Sequence, residues 1–161
     1  MRVALDAILA ASQPHHFPAV TKDGQAAIAS TTGNEDCHII LRGGKRPNYE
    51  TADVEAVTSE AVKLGVAPRI LIDASHANSG KDPMNQPLVV RSVAAQIAAG
   101  NCDIKGMMIE SNLVAGRQDL VPGKPLVYGQ SITDGCIDWD MSVAVLEDLA
   151  TSARERRRIR V

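Results

Sequence analysis

The chain has 161 residues, with 45% apolar and 22% charged residues, and its 17 Lys and Arg against 19 Asp and Glu leave a formal net charge of −2. At ~100–200 residues per domain this is one domain, and the mix excludes a disordered tail, a collagen-like fibre and a protein held to nucleic acid by bulk charge. No window approaches the ~18 uninterrupted apolar residues of a membrane span, and Asp6 interrupts the short apolar run at the start. That run reads as a helix, and the protein as cytoplasmic. Aromatic residues make up only 2%, so the core is expected to be aliphatic, as in parallel α/β sheets. Cys37, Cys102 and Cys136 form no C-x-x-C pair, which predicts reduced thiols.

In chain order, residues 2–12 carry a short helical pattern that stops before Pro14. Phe17 to Thr21 and Gln25 to Thr31 flank a turn at Lys22, Asp23 and Gly24, the spelling of a β-hairpin occupying about 16–32. Residues 37–41 form a short aliphatic strand that runs into Arg42, Gly43 and Gly44. Val54, Val57, Ala61 and Leu64 recur at helical spacing within 51–64, and Gly65 is a natural stop. A second buried strand at 69–72 leads into Asp73-Ala74-Ser75-His76, a helix follows at 86–99, and a third strand at 104–109 ends at Glu110. Residues 111–130 read as a polar loop rich in Gly and Pro, and the last helix as 139–156. Strand, helix, strand, helix, strand implies right-handed parallel crossovers.

Each strand is apolar along its length and turns chemical at its C-terminal end, at Arg42, His76 and Glu110. In (β/α) barrels and open parallel sheets that edge holds the active site, so the placement points to an enzyme. His76, Glu110 and Asp134 offer one imidazole and two carboxylates, a set suited to a divalent cation such as Mn²⁺, Fe²⁺ or Zn²⁺. Taken singly, each has a bland reading: a hydrogen-bonded loop histidine, a cap on the following segment, a turn or helix N-cap. Arg42 with Gly43-Gly44 and Lys45-Arg46 reads as a phosphate or carboxylate site or as a solvated basic loop. Neither a Walker loop nor a dinucleotide fingerprint is present. Cys37 and His38, at the opposite strand end, read as structural, and His15 and His16 as hairpin caps. The basic run 154–160 reads as a frayed, solvated helix end whose cations complement the helix dipole.

Four long motifs are more specific. Gly33-Asn34, then His38 to Arg42-Gly43-Gly44-Lys45, Pro47-Asn48-Tyr49, is one. Ile72-Asp73, Ser75-His76-Ala77-Asn78-Ser79 is the next, followed by Met108, Glu110-Ser111-Asn112-Leu113 and by Tyr128-Gly129, Ser131 to Asp134, Cys136. Their order and spelling resemble the class I 3-deoxy-D-arabino-heptulosonate 7-phosphate synthases. The resemblance implies the C-terminal part of a (β/α)₈ TIM barrel, of class α/β, with about three parallel barrel strands and an inserted hairpin. It implies condensation of phosphoenolpyruvate with erythrose 4-phosphate, the first step of the shikimate pathway, and a divalent Mn, Fe or Co ion. By motif, the ion would be held by His76, Glu110 and Asp134. Arg42 and His76 would act on phosphoenolpyruvate, and Asp134 would bind substrate. The family's hairpin region binds aromatic amino acids as feedback inhibitors, and Phe17, Ala19 and Ala29 stand at the matching positions. A homo-oligomer is expected of the full-length form, with no nucleic acid or membrane partner.

A complete barrel needs ~250 residues. The family's Lys-Pro-Arg-Thr loop, its Lys-Asn-Gly-Thr strand end and its metal-ligand cysteine have no counterpart in this sequence. The chain is therefore expected to be part of a longer enzyme and inactive alone. The alternative is a non-catalytic regulatory fragment that binds an aromatic amino acid or a full-length partner.

Overall fold

Short aliphatic runs separated by helices find their hydrogen-bond partners side by side. The computed structural model describes residues 2–159. Its central sheet has three parallel strands in the order β3 (Ile39–Leu41), β4 (Ile70–Asp73), β5 (Ile104–Met108). Ile39 pairs with Ile70, and Ile70 with Ile104. Helix α1 (Arg2–Ala11) and the antiparallel hairpin of β1 (His16–Val20) and β2 (Ala26–Ser30) precede the sheet. Helix α2 (Thr51–Lys63) links β3 to β4. A one-turn 3₁₀ helix (Pro83–Asn85) and α3 (Gln86–Ala98) link β4 to β5, and α4 (Trp139–Ile159) closes the chain, packed on α3. Among the described residues no helix is long and apolar enough to cross a membrane.

The core is aliphatic, as the composition requires. Ile39, Leu41, Ile70, Ile72 and Ile104 are each at most 3% exposed, and Val54, Val90 and Val145 from the three later helices pack into the same cluster. Leu5 of α1 is fully buried in it, a burial that contributes ~1.5–3 kcal/mol to holding that helix on the domain. Helices α2 and α3 both end in a Schellman motif. Gly65 (φ 70°) and Gly100 (φ 100°) take the left-handed position, and Val66 N–H and Asn101 N–H reach back to Ala61 O and Gln96 O.

Two expectations are corrected. Residues 111–130 are not simply a loop: β6 (Val114–Arg117) pairs in parallel with β7 (Gln130–Ser131). Polar, glycine-rich spelling hid these strands, since their pairing is stabilised by side chains such as Gln130, whose amide donates to Ala115 O at 2.8 Å. The basic run is solvated at Arg154, Arg157 and Arg158, but the helix continues unfrayed through Ile159 and Arg156 is tied down. Arg156 donates to Asn101 O and Ile104 O at 3.0 and 3.2 Å, pinning α4 to the entry of β5; Arg160 lies outside the described residues. His15 and His16 do tie down the hairpin, contacting Ala10 O and Ser30 Oγ at 2.7 and 2.8 Å.

The turn from α1 into the rest of the chain depends on Gly33. At φ 85°, a Cβ there would stand 2.2 Å from Ser12 O, because Asn34 N–H bonds Ala11 O at 2.8 Å. Gly24, at the hairpin tip with φ 77°, has open space around it. Urea unfolding is expected to show Gly33→Ala losing about 2–3 kcal/mol and Gly24→Ala about 1 kcal/mol, since only the first adds a backbone clash to the left-handed penalty. Equal losses would refute this account of Gly33.

Candidate active site

Strand β4 ends in a carboxylate that water does not reach. Asp73 is 2% exposed, and burial of a charge is tolerated only with partners. Its Oδ1 accepts from Ser75 Oγ at 2.6 Å and Ser75 N–H at 2.8 Å, and its Oδ2 faces His76 Nδ1 at 2.7 Å. The proton therefore belongs on Nδ1, which leaves the Nε2 lone pair free for a ligand. His76 adopts φ 50°, the left-handed region, and this turns its ring back toward Asp73. Its Nε2 stands 3.9 Å from Glu110 Oε1.

Glu110 follows β5 and is fixed by a neighbour's side chain. Gln86, fully buried at the start of α3, donates to Glu110 O at 3.0 Å and accepts from Glu110 N–H at 2.9 Å. The amide takes the place of a further strand. Asp134 arrives from the far end of the β6–β7 excursion, which is closed onto Glu110 by Ile137: Ile137 N–H donates to Glu110 O and Asn112 N–H to Ile137 O, each at 3.0 Å. One ligand atom from each of His76, Glu110 and Asp134 lies within 4.8 Å of the others. The helix-capping alternative for Asp134 is filled instead by Asp138, whose Oδ1 accepts from Met141 N–H at 2.9 Å.

Arg42 leaves the end of β3 on the same side. Gly43 (φ 76°) lets the chain turn where a Cβ would meet Ala77 Cβ at 2.8 Å. Its N–H donates to Asn48 Oδ1 at 2.7 Å, and Asn48 N–H to Asn78 Oδ1 at 2.9 Å. Buried Asn78 in turn donates to Leu41 O and Asp73 O at 3.0 and 2.8 Å. Arg42, His76, Glu110 and Asp134 thus line one cleft of about 330 Å³, together with Lys81 and Gln86. Phe17, Ala19 and Ala29 do not line it. Phe17 pairs with Ala29 and Ala19 with Ala27, so the three side chains share one face of the hairpin. Cys37 lies beyond the opposite end of the sheet, in a groove with Arg69 and Val66.

Asp73, Gln86 and Asn78 support the site without having stood out among the strand-end residues. Asp73 was legible as an acid three residues before a histidine at a strand end; Gln86 looked like any first residue of a helix. Cys136 is buried and donates to Asp134 O at 3.6 Å. Burial first, then the Glu110 and Asp134 carboxylates, push its thiol up against the opposing hydrogen bond of Ser131, so it remains protonated.

Burial, then the Asp134 and Asp73 carboxylates, push the Glu110 carboxyl above its usual range, while His76 and the Ser75 hydroxyl pull it down less. A carboxyl raised by folding stabilises the fold while protonated, and that contribution is lost as pH rises through its folded-state value. In metal-free protein near neutral pH, Glu110→Gln is therefore expected to raise the thermal unfolding midpoint, and the gain to shrink and vanish as pH falls and the carboxyl becomes protonated in both the folded and the unfolded chain. Thermal melts across pH check this; unchanged midpoints at neutral pH would contradict it.

Comparison with known proteins agrees with these motifs. The model of the DAHP synthetase I family matches residues 1–147. The phospho-2-dehydro-3-deoxyheptonate aldolase of Haemophilus influenzae is 54% identical over 98% of this chain and 44% of its own. The Phe-sensitive aldolase of Escherichia coli is 50% identical over 98% of this chain and 45% of its own. The solved structure of the Francisella tularensis aldolase superposes with a TM-score of 0.89 at 45% identity, covering 96% of this chain and 45% of that one. The chain spans less than half the length of these relatives. It belongs to the DAHP synthetase I family.

Proposed function

We propose that this chain carries the metal-binding and phosphoenolpyruvate-binding part of an enzyme that condenses phosphoenolpyruvate with D-erythrose 4-phosphate. The products are 3-deoxy-D-arabino-heptulosonate 7-phosphate and inorganic phosphate, and the reaction is the first of the cytoplasmic shikimate route to aromatic amino acids. The observation that carries the reading is the approach of His76, Glu110 and Asp134 donor atoms to within 4.8 Å of one another, on the cleft that Arg42 also lines.

The donor set suits Mn²⁺, Fe²⁺ or Co²⁺: one imidazole with its lone pair freed by Asp73, and two carboxylates whose mutual repulsion a cation would relieve. A bound ion would supply Lewis acidity toward an aldehyde oxygen. Arg42 presents a planar fork of donors to the phosphate or carboxylate of phosphoenolpyruvate, and Gly44 leaves open space beside it. His76 would face the same ligand, and Asp134, exposed on the same cleft, would meet the incoming sugar. Holding both substrates in one cleft replaces a bimolecular encounter with an oriented one. Carbon 3 of phosphoenolpyruvate then bonds to the aldehyde carbon, water adds at carbon 2, and phosphate departs.

On this reading the three parallel strands are part of a (β/α)₈ barrel formed by a longer, homo-oligomeric enzyme, with the site at the C-terminal strand ends as in other barrels. The shared face of Phe17, Ala19 and Ala29 is the place for an aromatic amino acid inhibitor. The Escherichia coli relatives are named Phe-sensitive and Tyr-sensitive, in keeping with that assignment.

Calorimetric titration separates the roles. His76→Ala is expected to abolish Mn²⁺ binding, and Asp73→Asn to weaken it by about 10–100-fold through loss of the ring's orientation. Arg42→Met should keep Mn²⁺ affinity and lose that for phosphoenolpyruvate by at least about 10-fold, the scale of a charge-assisted pair. Binding of Phe, Tyr or Trp with no affinity for Mn²⁺ would favour a purely regulatory fragment instead.

A further inference from the structure

Among the described residues, the non-glycine positions with positive φ are His76 at 50° and Lys81 at 64°. They stand at the two ends of one loop. The carbonyl of His76 accepts Lys81 N–H at 2.7 Å and Ser79 Oγ at 3.2 Å, so the loop is closed on itself. Asn85 of the 3₁₀ helix fastens its middle by donating to Ser79 O at 3.0 Å. Side chains with a Cβ are disfavoured in this conformation and persist where the surroundings impose it, clustering at active sites, ligand clamps and switch regions. Glycine is the unstrained choice at such a position, as Gly80 (φ 65°) just before it illustrates. A lysine occupies position 81 instead.

The strain at 76 has its explanation in the turn of the imidazole toward Asp73. At 81 the backbone N–H is held by His76 O, but the side chain has no such partner: it is exposed and makes no salt bridge among the described residues. It does line the cleft, alongside Arg42, His76, Glu110 and Asp134. Two cations from different loops, Arg42 after β3 and Lys81 after β4, therefore border a cluster of acids that a metal ion would neutralise. An ammonium on a flexible stem is a point charge suited to phosphate or carboxylate, and one left unpaired at the mouth of a cleft raises the local concentration of anions.

We propose that Lys81 is a ligand-binding residue, held by its strained loop so that its ammonium takes a phosphate or carboxylate group of a ligand seated against His76, Glu110 and Asp134. This rests on the metal-site reading above and adds to it a second cation, distinct from Arg42, with an anion to hold.

The test uses the 161-residue chain in excess over Mn²⁺, with metal binding followed by electron paramagnetic resonance. Anion binding is followed by the relaxation that bound Mn²⁺ induces in inorganic phosphate and phosphoenolpyruvate (phosphorus signal) and in pyruvate (methyl proton signal). Lys81→Met is expected to leave Mn²⁺ affinity and the melting transition unchanged and to weaken anion binding about 10-fold or more, with Lys81→Arg restoring most of it. Weakening with inorganic phosphate assigns the phosphate, and weakening with pyruvate alone assigns the carboxylate. Native affinity for all three anions in Lys81→Met, or no anion binding by the unsubstituted metal-loaded chain, overturns the proposal. Absence of Mn²⁺ binding in the unsubstituted chain instead overturns the metal-site reading, and this proposal with it.

Discussion

The contact between Asp73 and His76 is the constraint on which the site rests. A carboxylate 2% exposed must be paired or hydrogen-bonded, and removal of one partner from such a pair is costly because the other is left stranded. Asp73 meets this requirement with Ser75 on one oxygen and the imidazole on the other. The imidazole meets it from a left-handed backbone at His76. One interaction therefore sets the tautomer, the ring orientation and the turn of the chain at once. The same turn sends the loop round to Lys81.

Strands that stop at a functional edge leave backbone groups without ladder partners, and buried groups of that kind have to be satisfied. Here side-chain amides do it. Asn78 takes up Leu41 O and Asp73 O across two strand ends, and Gln86 takes up both the N–H and the C=O of Glu110. Each amide satisfies the strand end and locates a chemical residue in the same act: Asn78 through Asn48 and Gly43 for the Arg42 turn, Gln86 for Glu110. Such fully connected polar networks specify a single arrangement, which a cleft that must hold groups at fixed distances requires.

Asp134 is delivered differently. Its loop leaves the sheet after Glu110, pairs within itself through β6 and β7, and returns where Ile137, fully buried, bonds back to Glu110 and Asn112. Closing a loop of this length costs entropy that grows only slowly with length, and the burial of Ile137 at the point of return offsets part of it. The acid thus sits beside Glu110 because of an apolar anchor three residues further on.

Much of this was readable in the residues alone. The largely apolar runs at 37–41, 69–72 and 104–109 with helical spacing between them point to parallel strands and crossovers, since periodicity and residue type are local properties. Arg42, His76 and Glu110 were identifiable because each follows such a run, and Gly65 and Gly100 marked helix ends because glycine takes the left-handed conformation there without the penalty other residues carry. The strands β6 and β7, the anchoring role of Arg156, the reciprocal amide of Gln86 and the strained Lys81 were not identifiable. Each is defined by partners distant along the chain, and no local spacing records which distant groups tertiary packing will bring together. The sequence by itself determined which side chains stand at the ends of the strands; only the folded chain decided that three of them share one cleft and what holds each in place.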